Sequence, residues 1–309
     1  MMTLDRRNFI KKIDLYFTDM AGNRLAGDYV AGNGSGPLLS DLEDEFDAGN
    51  LKFFFDADLA SSYTKEDNTQ AADGDTINQW KARFPADETA VFTRSSVDGL
   101  VLTTFEDETH LKAIMTNPSG GAWESMMDSN VGFDFPDTGS LYMLWETSSS
   151  PPALENIIEQ KHFFDLVQKD DELQLQSADT TYQSVITNIL ADTSYLIEIK
   201  YEKVETAGGN HSVITTINLT KLVLAGNTEF TGTVTATLRD SAYKYQLHLS
   251  DAQTGINSKV SSIILIAGTD TTLRALCKDY LIKRWKNEDT EPAVDPDAVD
   301  SAWLTEIRY

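Results

Sequence analysis

The sequence predicts an all-β protein, a two-layer sandwich of antiparallel sheets with a short helix near its C-terminal end. Three observations support this prediction. Short apolar runs, several of them alternating with period 2, recur between residues 49 and 288, as is typical of strands in a sandwich. Turn-forming Gly, Asn and Asp residues bound several of these runs. After residue 270 the apolar spacing changes from period 2 to period 3.6, which indicates a helix.

The predicted strands follow one another along the chain. They cover residues 51–55, 99–105, 141–145, 172–176, 195–201, 213–224, 231–238 and 261–267. Segment 141–145 is apolar on both alternating faces, which predicts a central strand. Segment 172–176 alternates strictly, which predicts a strand with one solvated face. Gly208, Gly209 and Asn210 predict a hairpin loop between two of the later strands.

The helix near the C-terminal end carries its apolar residues on one face. These residues are Leu273, Leu276, Cys277, Tyr280, Leu281 and Trp285. Asp270 or Thr271 is expected to cap its N-terminus. Cys277 lies on the apolar face, so we expect an inert packing thiol rather than a nucleophile. We also expect Trp80, Trp145 and Trp285 to be buried in the sandwich.

Three parts are predicted along the chain: an N-terminal arm at 1–48, the sandwich at 49–288, and an acidic linker with an apolar peptide at 289–309. The arm contains a glycine-rich break at 32–37. Apolar residues at 38, 39, 42 and 46 then predict a short amphipathic helix, with Ser40 or Asp41 as its cap. Acidic residues and prolines are dense after 287, which predicts a solvated linker. Both ends are thus expected to be irregular extensions.

Composition excludes several classes of partner. Lys and Arg number 25 against 49 Asp and Glu, a formal net charge of −24. Such a surface repels the phosphates of nucleic acids and anionic membranes, so we expect neither as a partner. Cys277 is the single cysteine, which rules out an intrachain disulfide.

The N-terminal segment 6–12, with sequence RRNFIKK, is similar to a twin-arginine export signal. Such a signal requires an apolar region next, whereas two acidic residues, Asp14 and Asp19, follow here. We therefore expect a protein that is made in the cytoplasm without a signal peptide.

Two pairs of segments resemble the edges of the concanavalin A-like lectin/glucanase superfamily, in particular its laminin-G-like modules. The first pair is LKFFFDAD at 51–58 with INQWK at 77–81, and the second is IILI at 263–266 with YLIKRW at 280–285. The resemblance implies a jelly-roll sandwich that binds glycans or proteins, of a kind frequent in phage and viral surface proteins. The middle of the chain has no family motif, and residues 1–48 and the acidic tail lie outside the module.

Two catalytic patterns occur among enzymes of this superfamily and of related fold. Its glycan hydrolases alternate carboxylates as Glu-x-Asp-x-x-Glu, but the acids at 43–47 have the wrong spacing. Related lyases need a Gln-x-His, which Gln246 and His248 match partially, near Tyr243 and Tyr245. On a strand, Gln246 and His248 share a face, and the alternative is an ordinary solvated face. We therefore expect no catalytic residues and no enzymatic activity.

The loop at 117–128 is the strongest candidate for binding a glycan or a partner. An exposed Trp stacks on sugar rings, and Met suits adaptable protein contacts. The candidates are Asn117, Trp123, Glu124, Met126 and Asp128. The alternative is that Trp123 and Met127, four residues apart, form a core-facing turn.

No cofactor is expected, with calcium as the open alternative. Asp67, Asp73 and Asp75 supply hard oxygen ligands close together in the sequence. The alternative is a solvated acidic turn.

The resemblance and the two atypical ends favour a non-enzymatic structural protein of a virion, such as a capsid decoration, fibre or tail component. Its partners would be other virion proteins, copies of itself, or a host-surface glycan. The alternatives are a secreted or surface carbohydrate-binding module, and a polysaccharide lyase or hydrolase that depends on His248. The assembly candidates are Arg6, Arg7, Lys11, Lys12, Trp303, Leu304, Ile307 and Tyr309.

Overall fold

A computed structural model describes thirteen stretches of the chain. These are residues 37–85, 90–94, 100–107, 109–116, 127–131, 135–149, 154–160, 163–176, 182–205, 211–224, 226–237, 247–249 and 258–286. The chain divides into two units, Met1–Gly36 and Pro37–Tyr309. The first unit lies outside the described residues, as do the assembly candidates at both ends of the chain.

The described residues form two α-helices, one short 3-10 helix (Ala60–Ser62) and eighteen strands. The helices are α1 (Leu39–Asp47) and α2 (Thr271–Trp285). The strands are β1 (Leu51–Asp56), β2 (Tyr63–Thr64), β3 (Thr76–Ile77), β4 (Gln79–Lys81), β5 (Ala90–Arg94), β6 (Leu100–Thr104), β7 (Lys112–Thr116), β8 (Met127–Val131), β9 (Thr138–Glu146), β10 (Glu155–Gln160), β11 (Phe164–Lys169), β12 (Glu172–Gln176), β13 (Gln183–Thr187), β14 (Ser194–Glu205), β15 (His211–Lys221), β16 (Thr228–Thr237), β17 (His248–Leu249) and β18 (Lys259–Ala267). No helix in these stretches is long and apolar enough to cross a bilayer.

The strands form two antiparallel sheets of nine strands each, which confirms the predicted all-β sandwich. Sheet 1 has the order β16-β15-β14-β9-β18-β7-β6-β3, and β1 also pairs with β18. Sheet 2 has the order β13-β12-β11-β10-β17-β8-β5-β4-β2. Most neighbours are not consecutive in sequence, so the chain passes repeatedly from one sheet to the other. The predicted hairpin after residue 201 is confirmed, because β14 pairs with β15 up to Glu205 and His211.

The main core lies between the two sheets and is rich in aromatic rings. Trp80 and Trp145 are fully buried in it, as predicted. The ring of Phe55 packs 5.2 Å from that of Trp80 and 4.6 Å from that of Phe92. Because each such ring removes a large apolar surface from water, this cluster is a major contribution to holding the sheets together.

A second apolar cluster lies between the helices and the outer face of sheet 1. Leu42 of α1 and Cys277, Tyr280 and Trp285 of α2 are buried there, and Tyr280 packs edge-on against Phe54 of β1 at 5.9 Å. Burial raises the pKa of the Cys277 thiol, which agrees with the predicted inert role. Both helices therefore cover the same sheet.

Helix α1 differs in one detail from the prediction. Leu38, rather than Ser40 or Asp41, occupies the cap position, and its backbone N–H donates to the Asp41 carboxylate at 2.8 Å. Asp41 thus closes the first turn from within the helix, as the third residue of a capping box does. Helix α1 falls in the predicted arm at 1–48, but it packs on the sandwich through Leu42.

Helix α2 is anchored at both ends. Asp270 caps its start by accepting hydrogen bonds from the backbone of Thr272 and Leu273, at 2.7 and 3.3 Å, as predicted. Near its end Arg284, only 6% exposed, pairs with the buried Asp56 and, at 2.6 Å, with Asp58. The turn after β1 is thus tied to the last turn of α2.

Segment 77–81, which the family resemblance presents as one strand, is split between the sheets. Ile77 belongs to β3 in sheet 1, and Trp80 belongs to β4 in sheet 2. Both side chains reach the main core, from opposite sides. The backbone crosses at Asn78, whose N–H donates to the Thr64 carbonyl at 2.7 Å.

Candidate functional site

The outer face of sheet 2 is the surface to consider for a ligand, because both α-helices cover sheet 1. The orientation of its central strand follows from burial. Leu247 and Leu249 are fully buried in the main core. Since successive residues of a strand point to opposite faces, His248 between them belongs to the outer face.

The backbone register aligns one residue from each of seven neighbouring strands in a row that includes His248. The successive opposite pairs are Gln79 with Thr93, Thr93 with Asp128, Asp128 with His248, His248 with Glu159, Glu159 with Asp165, and Asp165 with Gln176. Residues directly opposite each other in antiparallel strands share a face. These seven residues are called the polar row below. With about 4.8 Å between strands, the row extends for roughly 29 Å.

Asp165 is the best-defined carboxylate of the polar row. Its Oδ1 accepts a hydrogen bond from Asn156 Nδ2 at 2.8 Å, and its Oδ2 accepts one from the Tyr182 hydroxyl at 3.1 Å. Asn156 is 3% exposed, whereas Tyr182 is 38% exposed. The carboxylate is therefore oriented from below by a buried amide, and an aromatic ring stands beside it at the surface.

Two outward-facing apolar side chains lie next to the polar row, and both are buried. Val167, between Asp165 and Lys169 on β11, faces outward and belongs to neither apolar cluster, yet it is only 1% exposed. Val91 on β5 has a similar position and is 9% exposed. The exposed groups of this face that the structure defines are therefore mainly polar, with the ring of Tyr182 beside them.

Several buried charges belong to sheet 1 and to the segments packed on it, and they hold the fold. Lys259 pairs with Glu146 at 2.9 Å and with Glu106 at 3.0 Å. Burial raises the pKa of Asp58, although Arg284 opposes this shift. These groups join sheet 1 to the loops and to α2, on the side of the molecule away from the polar row.

The structure places only one of the predicted binding residues. Asn117, Trp123, Glu124 and Met126 lie outside the described residues. Asp128 lies on β8, and the register brings it into the polar row opposite His248 and Thr93. His248 and Gln246 form the partial lyase pattern of the sequence. His248 lies on β17, whereas Gln246 lies outside the described residues.

The calcium candidates each have another partner. Asp73 pairs with Lys112 at 2.6 Å, Asp75 lies 3.6 Å from Lys65, and Asp67 accepts a hydrogen bond from the Thr69 N–H at 2.9 Å. Within the described stretches, no three His, Cys, Asp or Glu side chains are grouped so that they would hold a metal ion. The calcium hypothesis thus rests on sequence spacing alone.

Sequence reasoning did not find Glu159, Asp165, Asn156 or Tyr182. Glu159 and Asp165 lie 13 and 7 residues before the nearest predicted strand, which begins at residue 172, and no motif surrounds them. Strict alternation at 172–176 was the one available signal. It showed that β12, the strand next to the one that carries Asp165, has a polar outer face. These four residues lie close together because of the order of the strands in the sheet, and that order cannot be inferred from the sequence.

Comparison with known proteins gives similar folds only. No family model and no curated protein sequence matches the chain. Among solved structures, a Trypanosoma rangeli sialidase aligns with 76% of this chain and 33% of its own, at 8% identity and a TM-score of 0.40. A PL-14 alginate lyase from Aplysia kurodai aligns over 62% and 87% of the two chains, at 10% identity and a TM-score of 0.33. A GH43 glycoside hydrolase aligns over 66% and 42%, at 10% identity and a TM-score of 0.39.

These comparisons correct one expectation and leave another as a prediction. The expectation of a protein without enzymatic activity is contradicted, because the three solved structures named above, which are among those that match, are of enzymes named for action on carbohydrates. The match spans about a third of the sialidase chain, and TM-scores below 0.5 assign no activity to this chain. The laminin-G resemblance and the virion role receive no support from these structures.

Proposed function

We propose that this protein is carbohydrate-active: it binds a polysaccharide along the polar row and cleaves it by acid–base chemistry centred on His248. The observation that carries the proposal is the backbone register, which sets His248 between Asp128 on one side and Glu159 on the other. Histidine and carboxylate residues are the types that most often serve as general acid and general base.

The chemistry follows from the residue types. A histidine can act as a general acid and give a proton to a leaving oxygen. A carboxylate one strand away is suited to accept a proton from water or from the sugar. Hydrolysis and elimination both need such a pair, and an ultraviolet-absorbing unsaturated product distinguishes elimination from hydrolysis.

The length and composition of the row suit a chain of sugars. A row of polar residues that extends for roughly 29 Å is long enough for several sugar units in succession. Tyr182 offers an aromatic ring at the surface, and aromatic faces stack on the apolar faces of sugar rings. Asp165 and Asn156 beside it supply acceptors and a donor for hydroxyl groups.

The test is depolymerisation of a panel of polysaccharides by the wild type and by three row variants. His248→Gln, Asp128→Asn and Glu159→Gln keep side-chain size and should each lower the rate at least a hundredfold. His211→Gln is the matched control, because His211 is exposed at the start of β15 in sheet 1. Rates that survive His248→Gln would remove His248 from the mechanism, and a panel that is neither bound nor cleaved would overturn the proposal.

Incorporation into a larger particle, with the sandwich displayed outward, stays a separate proposal from the sequence. It rests on the family resemblance and on the apolar peptide after the acidic linker. The residues that would mediate it lie outside the described stretches. Display of a glycan-active face on a particle is compatible with the polar row. Deletion of residues 289–309 tests whether the chain is incorporated through its C-terminal segment.

A further inference from the structure

One end of the sandwich exposes a group of apolar side chains. Among the described residues, five large apolar side chains are more than a third exposed, and four of them lie in loops at a single end. These four, called the apolar end below, are Leu154, Leu190, Val223 and Leu224. The fifth, Tyr182, precedes β13 at the opposite end of the strands. Exposed apolar residues that gather in one place mark a surface for interaction.

Three of the four residues lie beside the start of β14. Tyr195 on that strand is opposite Lys221, the last residue of β15, and Val223 and Leu224 follow in the turn. The Tyr195 hydroxyl accepts a hydrogen bond from the backbone N–H of Leu190 at 3.1 Å. The loop before β14 and the turn after β15 therefore meet at this end of sheet 1.

Leu154 reaches the same end from sheet 2. It precedes Glu155, whose carboxylate accepts a hydrogen bond from the Ser258 N–H at 3.2 Å. Ser258 precedes β18, whose first residue, Lys259, is opposite Glu146 at the end of β9. Because Glu146 is also opposite the first residue of β14, loops from both sheets contribute to the apolar end.

Helix α2 ends at this same end of the sandwich. The indole N–H of Trp285, its last residue, donates to the Asp107 carboxylate at 2.7 Å. The hydroxyl of Ser194, the first residue of β14, donates to the same oxygen. The described structure stops one residue after the helix, at Lys286. Segment 287–309 thus begins close to the apolar end.

We infer that the apolar end binds the peptide 303–309 of a second copy of this chain. The peptide is mainly apolar, and its one acidic and one basic side chain cancel in charge. Residues 287–302, which connect it to α2, include six acidic residues and no lysine or arginine. This connection reaches roughly 20 Å as a flexible coil, and further when its charges repel one another. Removal of apolar surface from water on both sides supplies the affinity.

Charge favours a second copy over the same copy. Leu190 lies close to two exposed acids, Asp192 in its own loop and Asp171, whose carbonyl accepts from the Ile189 N–H at 2.9 Å. To reach its own apolar end, the acidic stretch 287–302 would lie along these carboxylates, and like charges repel. When the peptide binds a second copy, only its nearly neutral residues make contact, and the acidic stretch spans the space between the two copies.

The experiment mixes two variants that each lack one half of the contact. The donor is the full chain with Leu190→Ser and Leu224→Ser, and the acceptor lacks 289–309 but keeps the apolar end. In light scattering, the wild type should associate, and each variant alone should be monomeric. The mixture should form a one-to-one complex, because the donor supplies the peptide and the acceptor supplies the surface.

Two controls accompany the mixture. Tyr182→Ser in the full chain removes an exposed apolar side chain from the opposite end and should leave association unchanged. Thermal unfolding checks that the donor and the acceptor are folded. Leu190 and Leu224 are each about half exposed, so we expect the fold to tolerate serine at both positions.

Salt identifies the force that holds the complex. Each wild-type copy has a formal net charge of −24, so the two chains repel each other. Raising the salt from about 50 mM to about 500 mM screens this repulsion. The mixed complex should therefore bind several-fold more tightly at high salt. Weaker binding at high salt would indicate an ionic contact, as the basic segment 6–12 would make, and would overturn the inference.

The remaining outcomes are equally decisive. A mixture that stays monomeric while the wild type associates would place the docking surface elsewhere. A monomeric wild type, with a melting temperature that falls by several degrees in both the donor and the acceptor, would show that the peptide binds its own copy. None of the four residues of the apolar end belongs to the polar row, so these outcomes do not depend on the proposed function.

Discussion

Tyr182 combines two properties in one side chain: an exposed ring and a hydroxyl that orients the Asp165 carboxylate at 3.1 Å. Tyr182→Phe keeps the ring and removes the donor, so it should weaken glycan binding by about 1 kcal/mol. Tyr182→Ala removes both and should weaken binding by about 2 kcal/mol. Calorimetry with the best-binding glycan measures the difference.

The control for Tyr182 is Leu190→Ala, which truncates another exposed apolar side chain, away from the polar row. It should leave binding unchanged. If Tyr182→Phe and Tyr182→Ala weaken binding equally, the ring makes no contact with the sugar and only the orientation of Asp165 matters.

At the scale of elements, α2 is attached to β1 by the buried ion pair of Arg284 with Asp56. Removing one partner of such a pair leaves an uncompensated charge and costs about 3–5 kcal/mol. Asp56→Ala should therefore lower the unfolding free energy by about that amount. Asp58→Ala should cost about 1 kcal/mol, because a third of the Asp58 side chain is exposed to water.

Chemical denaturation followed by tryptophan fluorescence gives both unfolding free energies. Arg83 also contacts Asp56, at 2.9 Å, so the Arg83→Met variant shows how much of the loss belongs to that second contact. Equal costs at Asp56 and Asp58 would contradict the assignment of the anchor to the buried partner.

A second contact of α2 makes stability depend on acid pH. Burial acts to raise the pKa of Asp107, but hydrogen bonds from Ser194, Thr109 and Trp285 outweigh burial and hold the pKa below its ordinary 3.8. A lowered pKa in the folded state stabilises the fold above the ordinary pKa. This stabilisation is lost as the pH falls through the folded pKa.

Trp285→Phe removes the indole N–H that donates to Asp107 at 2.7 Å. The pKa of Asp107 should then move back towards 3.8, and the loss of stability below about pH 4 should become less steep. Trp145→Phe is the matched control, since its indole nitrogen has no hydrogen-bond partner in the described structure. Unfolding free energies between about pH 2 and pH 5 test this, and identical slopes in wild type and Trp285→Phe would contradict it.

At the scale of the whole molecule, the segment 289–309 is predicted to mediate assembly. Trp303, Leu304, Ile307 and Tyr309 are apolar and follow about fifteen acid- and proline-rich residues. A linker of that length reaches roughly 20 Å as a flexible coil, enough to contact a neighbouring subunit. Deleting 289–309 should leave the melting temperature unchanged and abolish self-association in light scattering.

The full chain with serine at those four apolar positions is the control for the deletion. It keeps the linker and its charges, and it should lose association to the same extent. A deletion that lowers the melting temperature by several degrees while association is unaltered would assign the segment to its own core instead.

Much of the fold was predictable because it depends on local patterns. Segment 172–176 alternates strictly and is β12, and the apolar segment 141–145 is the centre of β9. Helix α2 begins and ends where its cap and apolar spacing indicate. Such patterns reflect which side of an element faces water, so a short stretch of sequence contains them.

The candidate site was predictable only in fragments. His248 and Asp128 were singled out for separate reasons, from different segments, and nothing in the sequence joined them. The crossing of segment 77–81 from one sheet to the other was also unexpected, because its spacing fits a single strand equally well.

Local patterns and composition were sufficient to predict the class of the fold, the main strands, α2, the burial of Trp80, Trp145 and Trp285, and the strongly acidic character of the chain. The folded arrangement of the strands was needed to show that Asp128, His248 and Glu159 are neighbours in register and that Asp56 meets Arg284, 228 residues away. The physical reason is that strand pairing in a sandwich joins distant segments. The free energy of each pairing depends on the whole packed core rather than on the residues that are brought together.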